Sequence, residues 1–283
     1  MAARAAEEYR VPQHEVLVRL LLQLPCSADP QGFMERSVAV SESVRLARDL
    51  SIATAKYASW QQPPTQGVPK LEEVALRRID EVRARIVLEC FHYLRSFRTG
   101  SDHFGGICID GRTERLAALL TVSPLDIRTM AERLPPGVDP ADTRVLARVF
   151  AFEWSPRNAL SFLMSRLVSQ LRQRPDPPRL LLTYVNPNVG FTGASYRAAN
   201  WMLWGREHET RYAYFDGNYI TDRELVARFG SADPTHLSAA LGDTINFSRM
   251  PLRPLDVYAY PVDPALRDAL EDQEPLEFQR PAP

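Results

Sequence analysis

The fold is decided by residues 143–204, which read TRVLARVFAFEWSPRNALSFLMSRLVSQLRQRPDPPRLLLTYVNPNVGFTGASYRAANWMLW. The apolar runs at 145–152 and 180–185 predict two buried strands. Between them, residues 160–171 place apolar side chains at helical spacing, and residues 194–204 have the length of a second helix. The stretch therefore predicts a strand–helix–strand–helix unit.

The first strand-to-helix turn of this unit spans Trp154–Ser161. Ser155 suits the N-cap of the helix, and Pro156 suits its first position. Free N–H groups at the start of a helix attract anions such as phosphate, and Arg157 adds a positive charge. A well-capped helix without a ligand is the alternative interpretation of this turn.

The second turn spans Asn186–Tyr196 and contains Gly190 and Gly193. Such a turn lets backbone amides approach a ligand closely, although Asn and Gly are also ordinary turn formers. It has neither the P-loop order nor the dinucleotide fingerprint. Because both turns follow successive strands, we expect them to open on one edge of the sheet and to form a ligand site.

Outside this unit the sequence predicts a mixed order of strands and helices, which indicates an α/β (α+β) fold. Strands are predicted at 71–78, 104–109, 116–122, 211–215 and 255–260, and a helix at 80–97. The Pro-rich stretch QQPPTQGVP at 61–69 predicts a linker. We therefore expect a helical N-terminal extension with its linker at 1–66, a main domain at 67–262 and, at 263–283, a tail with a short helix followed by a loose end.

The composition excludes several classes of protein. With 45% hydrophobic and 24% charged residues, the chain can bury a core. Its net charge of −1 leaves only a local basic patch as a means of binding nucleic acid. Cysteines without paired spacing indicate a reducing compartment, and no signal sequence or long apolar run is present. We expect a cytoplasmic protein without a metal and without membrane contact.

The sequence also resembles a known group of enzymes. The order of elements from Leu71 to Tyr260 is similar to the GNAT acetyltransferase superfamily. The segments 152–166 (FEWSPRNALSFLMSR) and 182–201 (LTYVNPNVGFTGASYRAANW) resemble its Mom-like branch, named after a phage protein that modifies adenine in DNA. The usual superfamily signature Q/R-x-x-G-x-G/A is absent, because the turn reads SPRNAL at 155–160, and this departure is itself a feature of the Mom-like branch.

The resemblance implies a mostly antiparallel sheet in which two central strands separate to admit acetyl-CoA or another acyl-CoA as co-substrate. The cofactor-binding residues it implies are Ser155, Arg157, Asn158, Ser161, Asn188, Gly190, Thr192, Gly193 and Arg197. For catalysis we expect Tyr196 to protonate the leaving thiolate, since acyl transfer needs such a donor. Asn186 and Asn200 are expected to orient the acyl carbonyl or the amine, and His92 is either a base or a satisfied structural residue.

Three functions follow from these observations. The first is an N-acyltransferase that modifies a nucleobase in DNA, for which the aromatic stretch from Trp201 to Tyr219 offers a stacking surface or simply the closing strand of a core. The second is a small-molecule amine N-acyltransferase of a biosynthetic pathway. The third is a non-catalytic interaction protein with the same fold, which associates, for example as a homo-oligomer, through its N-terminal helices.

Overall fold

The computed structural model describes residues 55–92, 94, 97–125, 128–187, 191–208, 213–216, 218–220, 222–247, 254–271 and 273–279. The predicted N-terminal helices lie almost wholly outside these residues. The homo-oligomer expected through them therefore stays a prediction. The division into an extension, a main domain and a tail therefore stays a prediction.

An eight-stranded sheet organises the described residues, in the order β1-β2-β3-β4-β5-β10-β6-β11. The pairs β4–β5 and β6–β11 are parallel and the other neighbours are antiparallel. This agrees with the mixed, mostly antiparallel sheet expected from the sequence. The strands are β1 Ala75–Arg78, β2 Asp102–Asp110, β3 Thr113–Pro124, β4 Thr143–Ala151, β5 Leu180–Val185, β6 Met202–His208, β10 Leu255–Pro261 and β11 Leu276–Gln279.

Helices cover both faces of this sheet, and the alternation of side chains along the strands separates two cores. One core packs α1 (Glu81–Cys90) and α3 (Ala159–Arg172) on the sheet through Leu88, Leu163 and Leu181. The other packs α2 (Arg128–Ala131) and α7 (Arg267–Glu271) through residues such as Leu270 and Leu182. Leu181 and Leu182 are neighbours in β5, so their assignment to different cores follows from the pleat.

A smaller unit follows β6. It consists of β7 (Ala213–Phe215), β8 (Asn218–Ile220), α5 (Asp222–Phe229), α6 (Pro234–Leu241) and β9 (Ile245–Phe247). Its three strands pair in the order β8-β7-β9, and Leu225, Leu237 and Ile245 form its own small core. The sequence predicted only a strand at 211–215 here, of which 211 and 212 lie outside the described residues.

Three predicted elements are wrong in extent. The helix predicted at 80–97 ends at Cys90, and Leu71–Glu73 forms a 3-10 turn before the short strand β1. The helix predicted at 194–204 is a single turn, α4 (Ala194–Arg197), after which the chain turns into β6. The apolar run that starts at Trp201 (WMLW) suits either structure by periodicity alone, and burial in the sheet decides for the strand.

The tail is not loose throughout. β11 pairs in parallel with β6 and buries Phe278 in the second core. The docking needs Gly205 on β6, since a Cβ there would lie 2.5 Å from a ring carbon of Phe278. Charged and polar residues alternate with Leu276 and Phe278, which is the pattern of a half-buried strand.

Candidate functional site

The two central parallel strands separate over their carboxyl-terminal halves. β4 and β5 pair only at Thr143–Leu180, Arg144–Leu181 and Val145–Leu182. Against β3, Leu146 pairs with Val122 and Arg148 pairs with Thr121, so Ala147 is an extra residue in β4. Such a bulge bends its strand and increases the local twist. The separation of β4 from β5 begins at this bulge.

A cavity of about 250 Å³ fills the gap between the two strands. Its walls are residues 146–149 of β4, residues 183–185 of β5, residues 191–196 around the start of α4, Leu160 of α3, and His92 with Leu94 after α1. A volume just below the usual range of small-molecule sites, roughly 300–1,000 Å³, fits the reactive end of a long ligand. The predicted edge of the sheet is therefore the edge that carries the cavity.

Thr183 lies at the point where the strands part. Its hydroxyl donates to the carbonyl oxygen of Leu146 at 2.9 Å, and its oxygen is 3.3 Å from the hydroxyl oxygen of Tyr196. A threonine hydroxyl carries one proton, so Thr183 has only a lone pair to offer Tyr196. Tyr196 is therefore the donor in this pair, and its hydroxyl lies on the cavity wall at the point where the strands part.

Aromatic packing fixes the ring of Tyr196. The ring is stacked on Tyr258 with centroids 5.8 Å apart, and meets Trp201 edge-on at 5.5 Å. Both neighbours are buried in the core. The hydroxyl is thus held at the cavity by residues that cannot move without repacking the core.

The loop that begins α4 is braced from outside the cavity. Gly193 has φ +71°, and a Cβ at this position would lie 2.5 Å from the hydroxyl oxygen of Tyr258. Arg197 donates to the carbonyl oxygen of Thr192 at 2.6 Å and to the hydroxyl of Tyr258 at 2.8 Å. Thr192 and Gly193, both predicted to bind the cofactor, line the cavity, whereas the guanidinium of Arg197 supports the loop.

His92 lines the cavity as a neutral imidazole. Burial, with the positive charge of Arg148 as a smaller cause, lowers the pKa of His92 from 6.5 to about 3. Its Nδ1 accepts the N–H of Leu94 at 3.2 Å, which assigns the ring proton to Nε2. A group with this pKa is a poor base at neutral pH. Of the two roles that the sequence leaves open for His92, this low pKa favours the satisfied structural residue over the base.

The first turn differs from its predicted form. The helix begins at Ala159, and its N-cap is Asn158 with φ 66° and no side-chain capping bond, not Ser155. Ser155 instead donates its hydroxyl to the carbonyl oxygen of Ala117, and Ser161 donates to that of Asn158. The buried indole of Trp154 donates to the carbonyl oxygen of Trp60 at 2.8 Å, which adds a packing role. Arg157 and Asn158 are exposed beside the helix start.

Two further predicted residues, Asn200 and Asn186, are not part of the cavity wall. Asn200 is exposed, has φ 61° and ends the single turn of α4, because the chain must reverse there to enter β6. Asn186 is half-buried after β5 and is not part of the cavity wall. Asn188 and Gly190 lie outside the described residues.

The sequence reasoning missed Thr183 and Arg148. Each is a polar residue within an otherwise apolar strand, LLLTYV at 180–185 and VLARVF at 145–150. Polar residues in central strands require a partner when they are buried, and that requirement was a usable signal. Leu160 packs against the core with the apolar face of α3 and also contributes to the cavity wall.

The segments of sequence that contribute to the cavity wall are rich in arginine. The segments 91–98, 143–151, 154–166 and 183–197 carry Arg95, Arg98, Arg144, Arg148, Arg157, Arg166 and Arg197, and Glu153 lies between two of them. Among the described residues of the wall itself, Arg148 carries a positive charge.

Within the described part of the chain, no three or more His, Cys, Asp or Glu side chains are grouped so that they could hold a metal ion. Among the same residues, no helix is long and apolar enough to cross a membrane.

Comparison with known proteins was made on sequence and on structure. The family model described as the Mom protein family matches residues 73–278, which is most of the chain and includes the whole cavity. The chain belongs to the Mom protein family. Membership agrees with the resemblance of residues 152–166 and 182–201, and the matched range extends through β11. Among curated proteins, none matches the sequence.

A solved structure is also similar to this chain. It is RimL, a ribosomal L7/L12 α-N-protein acetyltransferase in an apo crystal form. The likeness covers 69% of this chain and 97% of RimL, with 13% sequence identity and a TM-score of 0.36.

Proposed function

We propose that this member of the Mom family is an acyl-CoA-dependent N-acyltransferase. The observation that carries the proposal is the cavity between the separated parallel strands β4 and β5, with the hydroxyl of Tyr196 on its wall. The sequence resemblance implied such a separation of two central strands as the entry of an acyl-CoA arm. The positive charge around the cavity suits a co-substrate that carries phosphates.

The reaction would proceed by direct transfer. A neutral amine attacks the thioester carbonyl carbon, a C–N bond forms, the C–S bond breaks, and the amine loses a proton to solvent. The thiolate that leaves takes the proton of the Tyr196 hydroxyl, which then recovers a proton from water. The hydrogen bond between the hydroxyls of Tyr196 and Thr183 is long, at 3.3 Å, so breaking it costs little free energy. The proton of Tyr196 can then pass to the sulfur.

The phosphates would lie at the start of α3. This helix is 14 residues long, and its N-terminus directly follows the strand that forms one wall of the cavity. Amide groups and the helix dipole favour anions there, and the exposed Arg157 adds charge. Ser155 is excluded from direct contact in this proposal, because its hydroxyl is bound to Ala117.

For the acceptor we propose the exocyclic amine of a nucleobase in DNA, most directly adenine. Family membership and the local excess of arginine support this choice. The second candidate is a small-molecule amine, which the small volume of the cavity favours. Both acceptors occur with acyl-CoA inside the cell, so we propose a cytoplasmic location.

The test combines binding with product analysis. Calorimetry should detect an acyl-CoA on the full chain, and mass spectrometry of nucleosides from cells that express it should reveal an acylated base. Tyr196→Phe should reduce modification by about 10²–10⁴-fold, the usual contribution of a general acid. Tyr260→Phe is the matched control, since Tyr260 belongs to the same aromatic cluster but not to the cavity wall.

The outcomes separate the alternatives. Absence of any heat or thermal shift with CoA esters would rule out acyl transfer. Binding and amine acylation without a modified nucleoside would favour the small-molecule acceptor. Full biological activity of Tyr196→Phe and of Asn200→Ala would favour the non-catalytic interaction protein.

A further inference from the structure

A segment before the first strand lies along the edge of the sheet that carries the cavity. We define residues 57–65 as the N-terminal strap, which includes a 3-10 turn at Ala58–Gln61. The sequence predicts the end of an extension and its linker here. In the structure Pro64 is buried, and Tyr57 and Trp60 pack against the core that contains α1 and α3.

The strap is held by the hairpin of β2 and β3. Arg115 donates to the carbonyl oxygens of Ser59 at 2.9 Å and of Gln62 at 2.7 Å. Asp110 accepts the backbone N–H of Thr65 at 3.0 Å and its hydroxyl at 3.2 Å. Arg115 and Asp110 also form an ion pair at 3.5 Å, and their side chains are only 23% and 10% exposed. Because these charge-assisted bonds are shielded from water, they hold the strap more firmly than a surface ion pair would.

This hairpin lies at the same edge of the sheet as the cavity. β2 and β4 both run antiparallel to β3, so the end of β2, the beginning of β3 and the end of β4 lie together. The strap therefore runs from the β2–β3 hairpin towards the end of β4. Beyond Val145, β4 has lost its pairing with β5, so its last residues depend on β3 and on contacts outside the sheet.

The strap supplies such a contact to the turn that follows β4. The carbonyl oxygen of Trp60 accepts the indole N–H of Trp154 at 2.8 Å. Trp154 is 5% exposed, its ring is stacked on Phe152 at 6.0 Å, and the guanidinium of Arg115 lies 5.8 Å from its centroid. An indole has one N–H, and a buried N–H without an acceptor is costly. The position of Trp154 is therefore coupled to that of the strap.

A second contact connects the strap to the cavity wall. The ring of Trp60 is stacked on Phe91, with centroids 6.3 Å apart and planes 14° from parallel. Phe91 follows α1 and directly precedes His92, which lines the cavity. The same ring meets Phe150 at 6.2 Å and Phe152 at 5.0 Å, at the end of β4. The strap thus contacts both elements whose ends form this side of the wall.

We propose that the N-terminal strap is a part of the acyl-CoA site, and that Arg115 and Trp154 are positioning residues that connect the two. The inference rests on the proposed function, since it specifies what holds that site in shape. Neither side chain lines the cavity. They hold the unpaired end of β4 and the turn after it at the separation from β5 that the co-substrate needs. A displacement of about 1 Å within a site can cost roughly a hundredfold in rate.

Two substitutions in the full chain test the proposal, with acetyl-CoA as the probe. Trp154→Phe keeps an aromatic ring and removes the N–H that the strap accepts. Arg115→Gln removes the charged bonds to the strap. We expect each to raise the dissociation constant of acetyl-CoA, measured by calorimetry, by about tenfold, as the loss of a buried hydrogen bond would give. Arg115→Lys, which keeps a charged donor, should restore part of the affinity.

Matched controls make the same chemical changes elsewhere. Trp204→Phe removes an indole N–H that is buried without a hydrogen-bond partner among the described residues, in the other core. Arg77→Gln removes an exposed ion pair with Glu114, the neighbour of Arg115. Phe278→Ala destabilises the fold at β11, in that other core. All three should keep the wild-type affinity for acetyl-CoA, and urea unfolding shows how far each variant loses stability.

The results separate positioning from general stability. Wild-type affinity in both Trp154→Phe and Arg115→Gln would overturn the inference and leave acyl-CoA binding intact. An equal loss of affinity in Phe278→Ala would attribute the effect to stability alone and would also overturn it. Absence of acetyl-CoA binding by the wild type would remove the proposed function together with this inference.

Discussion

At the scale of single residues, His92 shows how the fold sets the chemistry of a side chain. The sequence left it between a base and a structural residue, because periodicity does not report solvation. In the structure it is 5% exposed, and its Nδ1 is occupied by the N–H of Leu94. Desolvation disfavours the charged imidazolium, so the neutral form persists at neutral pH.

His92 should make the protein sensitive to mild acid. The pKa of His92 is about 3 in the folded chain and near 6.5 when unfolded, so only the unfolded chain gains a proton between these values. The free energy of unfolding therefore falls as pH decreases through this window, by roughly 2 kcal/mol between pH 6.5 and 5. Urea unfolding at pH 7 and pH 5 should show a smaller loss in His92→Gln than in the wild type.

His236→Gln supplies the control for this measurement. His236 is exposed on α6, so its replacement should leave the wild-type dependence on pH. An identical loss of stability between pH 7 and pH 5 in the wild type and in His92→Gln would contradict the assignment of a buried neutral imidazole.

Ser155 and Thr183 illustrate what residue type alone predicts. Ser155 has the side chain of an N-cap and precedes a proline, yet its hydroxyl is drawn to the carbonyl of Ala117 on a neighbouring strand. Thr183 looked like one more strand residue, yet its hydroxyl bridges the point where two strands part. In both cases the partner is distant in sequence, and only the sheet register supplies it.

At the scale of elements, the start of α4 determines where Tyr196 lies. The turn needs φ +71° at Gly193 and a close approach of its backbone to the ring of Tyr258. A side chain on Gly193 would push the loop away from β10 and would move the Tyr196 hydroxyl relative to Thr183. Of the two glycines in the predicted turn, Gly193 is therefore required by its positive φ and by the close approach to Tyr258. Gly190 lies outside the described residues.

Gly193→Ala should separate steric contact from backbone strain. Gly137→Ala is its matched control, because Gly137 has a similar φ of +78° but nothing within 4 Å of a Cβ position. Both variants place an alanine in the left-handed backbone conformation, which lowers the free energy of unfolding. In Gly193→Ala this free energy should fall by about 1–3 kcal/mol more, because the added Cβ overpacks against Tyr258. Chemical denaturation gives both values, and equal losses would refute the close approach to Tyr258. Acyl-CoA affinity should fall only in Gly193→Ala.

At the scale of the whole molecule, β11 joins the C-terminal tail to the central sheet. In sequence, β11 is far from the residues of the cavity wall. It pairs with β6, which follows α4 directly and carries Trp204 in the same core as Phe278. The expected boundary at 262 would separate this strand from its partner. A fragment that ends there would expose the β6 edge and its apolar face to water.

Phe278→Ala should destabilise the protein by about 3–5 kcal/mol, the usual cost of a buried Phe. Glu277→Ala is the control, since the neighbouring side chain makes a solvent-exposed ion pair with Arg206 and a hydrogen bond with His208 and should matter little. Thermal and urea unfolding provide the comparison. A similar small effect of both substitutions would show that β11 is not an integral strand.

The sequence by itself determined the strand–helix–strand unit at its centre and the edge of the sheet that carries the cavity. These features depend on local periodicity, on turn chemistry and on the rule that parallel strands share a carboxyl edge. The resemblance that it carried to the Mom branch agrees with the family match.

Only the tertiary structure decided the rest. The bulge at Ala147, the docking of β11 on Gly205 and the buried state of His92 all depend on residues far apart in sequence. The run WMLW at 201–204 became a strand for the same reason, since pairing with β10 and β11 outweighed its helical length. The local sequence pattern determines which side chains share one face of a strand or helix. Strand pairing and burial determine which partner each side chain contacts, and with it the charge state and the chemistry of that side chain.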